Sequence, residues 1–128
     1  MFEKPQIMAL ASSLAAHAAA RQSLIARNVA NADTPGYRAV DLASFVETYS
    51  ATGDDAMRAT RPGHLGQQER TAAAQVEEVV RGTLSPNGNG VSLETEMVKA
   101  AEVRRDHDMA LAIYGKSLAI LRASLGRR

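Results

Sequence analysis

Mostly apolar residues recur at alternating steps of four and three near both ends of this 128-residue chain. The first set, the N-terminal seam, comprises Ile7, Ala11, Leu14, Ala18, Arg21, Ile25, Asn28 and Ala32. The second set, the C-terminal seam, comprises Leu93, Met97, Ala100, Arg104, His107, Leu111, Tyr114, Leu118, Leu121 and Leu125. A step averaging about 3.5 residues keeps one face of a helix against a partner helix, as in a coiled coil. The pattern predicts a mainly α fold, with long N- and C-terminal helices paired in a coiled-coil-like bundle or packed into a larger assembly.

The hydrophobic core of such a chain should be thin. The hydrophobic fraction is 45%, but much of it is alanine, and there are two Phe, three Tyr and no Trp. Alanine side chains bury little apolar area, so each contributes little to stability. We expect a monomer that is marginally stable alone and is completed by neighbouring molecules.

Charge and composition argue against several functional classes. The 15 basic and 14 acidic residues give a net charge of +1, too balanced for phosphate-driven binding to nucleic acid. No apolar run of about 18 residues occurs, so no transmembrane segment is predicted. The first residues, with Glu3, Lys4 and Pro5, do not resemble a cleaved secretory signal. Cysteine is absent, which excludes disulfides and thiolate metal sites.

The first helix is predicted from about Pro5 to about Ala32. It should end at the sequence DTPGY, Asp33–Tyr37, because the residue before a proline is pushed out of the α-helical region. Pro35 and Gly36 fit the central positions of a type II turn, where proline fixes φ and glycine accepts a positive φ.

The middle of the chain is predicted to be short and irregular or extended. A short helix capped by Asp41 is expected, with one apolar face formed by Leu42, Phe45, Val46 and Tyr49. A loop is predicted over 51–70, one strand or an extended arm over 75–84, and a cluster of turns over 85–90.

The last helix is predicted to begin after an N-cap at Ser92, with Glu94 and Glu96 in its first turn. If it runs to Gly126 it would be roughly 50 Å long, and it would need lateral contacts for most of its stability. We therefore divide the chain into an N-terminal helical region (1–34), a middle region (35–91) and a C-terminal helical region (92–128).

No catalytic residue, cofactor site or metal site is predicted. His17, His64 and His107 lie in the first helix, the loop and the last helix, and no catalytic or phosphate-binding motif accompanies them. The histidines are instead expected to be solvated or to lie in the seams.

Arg21 and Asn28 interrupt the N-terminal seam, and Arg104 and His107 interrupt the C-terminal one. Polar seam residues weaken a coiled coil but can fix its register and its partner, which makes Arg21, Arg104 and His107 candidate register-setting residues. Two alternatives stay open: the seam is one position off and these residues face solvent, or the leucine-rich end of the last helix lies on a membrane surface. Helix–helix packing is favoured over the membrane, because the first half of the same helix is rich in acidic residues.

The segment RNVANADTPGYR resembles the N-terminal signature of bacterial flagellar rod and hook proteins. The residues that carry this motif are Asn28, Asn31, Thr34, Pro35, Gly36 and Tyr37. The stretch from NGNGVSLETEMV to the end resembles the closing helix of that family, and TRPGHL (Thr60–Leu65) is a weaker match to a central motif. The chain is too short for the β-rich inserts of distal relatives. The C-type rod proteins are also short but interrupt the Thr-Pro-Gly-Tyr region differently, so the chain most resembles the membrane-proximal, B-type rod proteins.

This resemblance implies a structural, non-enzymatic subunit of the flagellar basal-body rod, needed for motility. The terminal helices would form the axial core by self-assembly with copies of the chain and with related axial proteins. The assembly seam would comprise Leu14, Ile25, Leu93, Met97, Leu111, Tyr114, Leu118, Leu121 and Leu125. The resemblance further implies type III export without a cleaved signal peptide, a periplasm-spanning location, and contact with inner-membrane ring and export-gate components.

Two other classes of function were weighed. A free-standing helical adaptor or chaperone-like protein would use the same seams to bind a partner helix, and its helices should be well ordered in isolation. A small enzyme would need a convergent polar site, which the sequence does not indicate.

Overall fold

A computed structural model describes residues 6–51, 77–80 and 82–126. The elements follow in the order α1 (Gln6–Ala30), β1 (Val40–Leu42), α2 (Phe45–Ala51), β2 (Glu77–Val79) and α3 (Leu93–Ser124). The predicted mainly α fold, with paired N- and C-terminal helices and a short irregular middle, is confirmed. Among the described helices, none is both long enough and apolar enough to cross a membrane.

The two long helices pack against each other in antiparallel orientation. Asn28, near the end of α1, contacts Glu96 in the first turn of α3, while Ala18, further back in α1, packs with Val103 further along α3. Ile25 and the half-buried Ala100 complete this small core cluster. The core is thin, as the alanine-rich composition predicts, because most of these side chains bury little area.

The face that α3 turns towards α1 lies one position before the C-terminal seam. Its buried residues recur every seven positions, at Glu96, Val103, Ala110 and Ser117. Ala110 and Ser117 are small, and small side chains at a helix contact allow the two axes to approach closely. The larger seam residues, Met97 and Leu111 among them, are left on the neighbouring, exposed face of α3.

The face of α1 that is buried largely follows the N-terminal seam. Ala11, Ala18, Ile25 and Asn28 are buried, whereas Ile7 is exposed. The remaining buried residues of α1 are Met8, His17 and Leu24. His17 and Arg21 face the middle segment, since His17 Nε2 donates a hydrogen bond to the carbonyl oxygen of Ala43 at 2.9 Å and Arg21 pairs with Asp41.

A two-stranded antiparallel sheet joins the two sides of the middle region. Val40 of β1 lies opposite Val79 of β2, and Leu42 lies opposite Glu77. The ladder continues for one bond, from the N–H of Val80 to the carbonyl oxygen of Ala39. The sequence leaves a strand and an extended arm open over 75–84, and the structure has a strand there at Glu77–Val79.

The turn after α1 has the predicted conformation. The N–H of Tyr37 donates to the carbonyl oxygen of Thr34 at 3.3 Å, which places Pro35 and Gly36 at the two central positions. Gly36 has a φ of 73°, the positive value that this position of a type II turn requires.

Two helix caps were predicted, of which one is confirmed and one is wrong. Ser92 caps α3, with its Oγ accepting from the N–H of Thr95. Asp41 does not cap α2, because it lies in β1. Ser44 is the cap, and it forms a reciprocal capping box in which Glu47 N–H donates to Ser44 Oγ and Ser44 N–H donates to the Glu47 carboxylate.

Several predictions concern residues outside the described ranges. They are the start of the first helix at Pro5, nearly all of the loop over 51–70 with His64, and the TRPGHL match at Thr60–Leu65. At the other end α3 stops at Ser124, two residues before the predicted limit, and Gly126 adopts a φ of 78°.

Candidate functional site: a polar junction and two exposed helix faces

Asn28 is the centre of a polar cluster where the end of α1, the turn, β1 and the start of α3 meet. Its side chain is 0% exposed, so each polar atom needs a partner within the protein. Nδ2 donates to the carbonyl oxygen of Val40 at 2.8 Å and to Glu96 Oε2 at 3.0 Å. Oδ1 accepts from the N–H of Val40 at 3.1 Å and from the Tyr37 hydroxyl at 3.2 Å. An asparagine amide can make no more than these four bonds, so Asn28 is fully satisfied.

A second buried asparagine closes the end of α1. Asn89, from the turn cluster before α3, donates from Nδ2 to the carbonyl oxygens of Asn31 at 2.9 Å and Thr34 at 2.7 Å. Asn31 in turn donates from its own amide to the carbonyl oxygen of Arg27 at 2.8 Å. The three carbonyl oxygens also accept backbone N–H groups, so the amides add a second bond to each, and Asn89 ties the chain just after α1 to the turn cluster.

The two turns also touch through their backbones. The N–H of Gly36 donates to the carbonyl oxygen of Asn87, and the N–H of Gly90 donates to that of Tyr37. A Cβ on Gly88 would lie 3.5 Å from the Cα of Gly36, and Gly88 has a φ of 79°. Gly88 is therefore required by its positive φ, whereas its distance to Gly36 is an ordinary contact that a Cβ could also make.

Four charged side chains extend the cluster along the helix pair. Asp41 accepts from Arg21 Nε at 2.7 Å and from Arg21 Nη2 at 3.0 Å, a two-point contact. Lys99 Nζ bridges Asp41 Oδ2 and Glu96 Oε1, each at 3.1 Å. Glu96 is only 2% exposed, and its second oxygen receives the Asn28 amide. The set Arg21, Asn28, Asp41, Asn89, Glu96 and Lys99 is hereafter the polar junction.

The charges of the polar junction are mutually compensated. Burial alone would raise the pKa of Asp41, but its hydrogen bonds with Arg21 and Lys99 outweigh burial and hold that pKa below the usual range. The hydrogen bond to Asp41 raises the pKa of Arg21 against the opposing effect of burial. Burial would lower the pKa of Lys99, but its contacts with Glu96 and Asp41 raise it. All three groups are thus held in their charged forms by one another.

Acid should weaken the polar junction through Asp41. Because its pKa is lower in the folded than in the unfolded chain, Asp41 stabilises the fold above the unfolded pKa. That contribution is lost as the pH falls below the ordinary pKa of an aspartate and through the lower pKa of the folded chain. We expect the difference in free energy of unfolding between the native chain and Asp41→Asn to shrink over this range, measured by urea denaturation at several pH values. Asp33→Asn, at an exposed aspartate, is the control for the substitution itself and should change the free energy of unfolding at neutral pH by no more than about 0.5 kcal/mol. An unaltered difference for Asp41→Asn between neutral and acid pH would contradict the assignment.

The motif residues predicted from the sequence come together in and around the polar junction. Asn28 lies at its centre, Tyr37 and Thr34 bond directly to its asparagines, and the backbone of Gly36 bonds to Asn87. Pro35 is exposed. Within a single chain, the motif therefore joins the end of α1 to the start of α3.

The predicted assembly seam is divided between buried and exposed positions. Ile25 is buried in the core, and Leu14 and Leu118 are half-buried. The other members are exposed, namely Leu93, Met97, Leu111, Tyr114, Leu121 and Leu125. Within the chain, α1 covers the neighbouring face of α3, so the exposed seam stays a candidate for contacts with other subunits.

The three candidate register-setting residues lie in two different places in the structure. Arg21 belongs to the polar junction, through its ion pair with Asp41. Arg104 and His107 instead lie beside a groove of about 650 Å³ between α1 and α3, whose floor includes Ala18, Ala19, Ala100 and Ala101. Within the described residues, no group of three or more His, Cys, Asp or Glu is placed to hold a metal ion.

Four members of the polar junction were not predicted as site residues: Asp41, Asn89, Glu96 and Lys99. Asp41 and Glu96 were assigned local roles at helix starts, and Asn89 was placed in a turn cluster. The sequence contains a pattern that could have identified Glu96 as buried. Glu96 begins a seven-residue repeat that continues through Val103, Ala110 and Ser117. The Ser44–Glu47 spacing is likewise the sequence signature of a capping box.

Comparisons with known proteins agree on one family. The family model described as "Flagella basal body rod protein" matches residues 8–38, which span α1 from Met8 to the residue after the turn. The flagellar basal body rod protein FlgB of Agrobacterium fabrum is 33% identical over 108 residues, covering 81% of each chain. FlgB of Salmonella typhimurium is 34% identical over 109 residues, covering 78% of each chain. FlgB of Escherichia coli is 32% identical over 102 residues, covering 73% of this chain and 74% of the relative.

Proposed function

Because the chain belongs to the FlgB family of flagellar basal body rod proteins, we propose that it is a structural subunit of the proximal rod that assembles through its two long helices. It acts by packing and not by catalysis, and motility depends on it because the rod carries rotation to the filament. The proposal also covers the partners of the chain, its location in a rod that spans the periplasm, and its export by the type III route without a cleaved signal peptide.

The observation that carries the proposal is the apolar surface of α3. Met97 is 71% exposed, Leu111 is 53% exposed and Leu125 is 84% exposed. Further large apolar side chains are exposed at other angles around the same helix, namely Val98, Met109 and Ile120. Charged side chains lie between these apolar ones, but so many exposed large apolar side chains on one helix mark it as an interaction surface.

The polar junction supports the same function in a different way. It satisfies the polar groups where the two helices meet, so that a chain with a thin apolar core still presents α1 and α3 in one fixed arrangement. A subunit of a regular assembly needs such an arrangement, because each copy must present the same surfaces to its neighbours. The neighbours proposed here are copies of this chain, related axial proteins, and components of the inner-membrane ring and export gate.

The test is a deletion of the gene in its host, followed by imaging of basal bodies and complementation. We expect inner-membrane rings without rods, and no swimming, with both restored by the native chain. Leu111→Asp should fail to restore rods although the protein is made, because it would bury a charge in a packed interface. Leu111→Met is the matched control, because it keeps an apolar side chain of similar size and should restore swimming.

Two results would contradict the proposal. Normal flagella in the deletion strain would show that the chain is not a rod subunit. Full swimming with Leu111→Asp would show that the exposed face of α3 is not an assembly surface. Because Leu111 is half-exposed in the monomer, thermal unfolding of the purified variant should stay close to that of the native chain, and this measurement separates assembly from folding.

A further inference from the structure

The turn cluster before α3 contains two Asn-Gly steps, Asn87–Gly88 and Asn89–Gly90, whose asparagines lie in contrasting environments. Asparagine followed by glycine is the pair of residues most prone to spontaneous deamidation, because glycine has no side chain to hinder attack by its backbone nitrogen. Asn87 is exposed, whereas Asn89 is only 2% exposed. The same chemistry is therefore placed at the surface and in the interior, two residues apart.

Deamidation of an Asn-Gly step consumes one water molecule and releases ammonia. The backbone N–H of the glycine gives its proton to solvent, and the nitrogen forms a bond to the asparagine Cγ. The Cγ–Nδ2 bond breaks, and Nδ2 takes up a proton and leaves as ammonia. Water then opens the resulting succinimide ring at one of its two carbonyls, which yields aspartate or isoaspartate. The reaction thus needs a glycine N–H that can lose its proton, an asparagine side chain that can rotate, and access for water.

Asn89 meets none of these conditions in the folded chain. The N–H of Gly90 donates to the carbonyl oxygen of Tyr37 at 2.9 Å. The Asn89 Nδ2 donates to two main-chain carbonyl oxygens at 2.9 Å and 2.7 Å, and its Oδ1 accepts from the N–H of Val91 at 2.7 Å. Rotation of the side chain would break three hydrogen bonds at once, and its burial keeps water away. Reaction at Asn89 therefore requires the polar junction to open, which is a rare event in a folded chain.

Asn87 is held much more loosely. Its Oδ1 accepts from the N–H of Asn89 at 3.0 Å, and among the described residues its Nδ2 has no hydrogen-bond partner. The N–H of Gly88 donates to the carbonyl oxygen of Ser85 at 2.8 Å, and this bond closes a turn whose residues Ser85, Pro86 and Asn87 are all exposed. Local opening of one surface bond costs far less than opening of a buried cluster, so the Gly88 nitrogen becomes available to Asn87 while the rest of the chain stays folded.

We propose that Asn87 is a site of spontaneous deamidation in the folded protein, and that folding protects Asn89 from the same reaction. Aspartate at position 87 keeps an oxygen for the N–H of Asn89, so this product fits the turn. Aspartate at position 89 does not fit, because two carbonyl oxygens would face a carboxylate oxygen where they now receive an amide. A chain that stays unfolded therefore acquires a change that prevents closure of the polar junction. This protection is a property of the single chain and does not depend on the proposed rod function.

Peptide mapping tests both parts of the proposal. The purified native chain is kept at mildly alkaline pH in buffer and, in parallel, in guanidinium chloride. Trypsin releases both asparagines in one peptide, Gly82–Lys99, and tandem mass spectrometry assigns deamidation to either position from the fragments that separate them. Digestion at mildly acidic pH limits reaction during sample handling. In buffer, Asn87 should react at least about tenfold faster than Asn89, and in denaturant the two rates should become similar.

Three variants accompany this measurement. Asn87→Gln is the matched control, because its longer side chain forms the ring far more slowly; it should remove the reaction at position 87 and leave Asn89 protected. Asn87→Asp imitates one product and should unfold at the same urea concentration as the native chain. Asn89→Asp should unfold at a clearly lower concentration, or fail to fold.

Three results would overturn the proposal. The first is equal reaction of Asn87 and Asn89 in buffer. The second is absence of reaction at Asn87 in buffer when the denatured chain reacts there. The third is an Asn89→Asp chain as stable as the native one, which would show that the buried amide is not needed to close the polar junction.

Discussion

Replacement of Asn28 by leucine is expected to lower the free energy of unfolding by about 3–5 kcal/mol, since it leaves several buried polar groups without partners. The leucine side chain has nearly the shape of asparagine but cannot form its hydrogen bonds. The N–H and carbonyl oxygen of Val40 and the Tyr37 hydroxyl would lose their bonds, and Glu96 would keep only Lys99. Urea denaturation followed by circular dichroism measures the loss. In a chain with so thin a core, such a loss could remove most of the stability of the monomer.

The same substitution at Asn31 is the matched control, three residues further along the motif. Asn31 is only half-buried, and its amide caps the carbonyl oxygen of Arg27 while its oxygen accepts from the Thr34 hydroxyl at 3.3 Å. Water can replace these partners, so Asn31→Leu should cost about 1 kcal/mol or less. Equal losses at the two positions would show that burial of Asn28 is not the source of its importance.

The structure gives a physical reason for the asparagine-rich motif that local sequence patterns could not supply. From the residues alone, Asn28 and Asn31 at a helix end are most simply explained by fraying into a turn. The Asn28 side chain bonds to β1 and to α3, up to 68 residues away, and the carbonyl oxygen of Asn31 accepts from Asn89 in the turn cluster. No local periodicity connects positions so far apart, whereas resemblance to a family could identify the motif without explaining it.

The helices, the turn and the cap of α3 were predictable because each depends on neighbouring residues. Pro35 and Gly36 determine the turn, and Ser92 has the side chain that a helix start requires. The choice of which α3 face contacts α1 was not predictable in the same way. The leucine-rich seam led to the prediction that its own face of α3 would contact α1. The contact within the chain instead uses the smaller Val103 and Ala110, which lie one heptad position earlier.

Asp41 illustrates a second limit of local analysis. Next to a predicted helix start, an aspartate is an ordinary N-cap, and the capping box one turn later, from Ser44 to Glu47, was overlooked. Its actual partners, Arg21 and Lys99, lie on two different helices. Asp41 meets these two bases only because α1 and α3 pack in antiparallel orientation beside β1. The pairing therefore could not be predicted without the fold.

Lys99 provides the second large expected effect, because among the described residues only its side chain bridges the two acids of the polar junction. Lys99→Met keeps most of the apolar stem but leaves Glu96, which is nearly fully buried, without its counter-charge. Removal of one partner from a buried ion pair is strongly destabilising, and we expect a loss of about 2–4 kcal/mol in urea denaturation. Lys116→Met, at an exposed lysine of the same helix, should change stability by no more than about 0.5 kcal/mol.

A double-mutant cycle identifies the cause of that loss. If the cost of Lys99→Met is the uncompensated carboxylate of Glu96, then Glu96→Gln in the same chain removes the charge while its side-chain oxygen still accepts from Asn28. The chain with both substitutions should therefore be more stable than Lys99→Met alone by about 1 kcal/mol or more, a coupling typical of contacting residues. If the second substitution instead adds its full cost to the first, the contribution of Lys99 comes from its contact with Asp41 or from the packing of its stem. The polar junction would then stabilise the helix pair mainly through Arg21, Asp41 and Asn28, with Glu96 a tolerated charge.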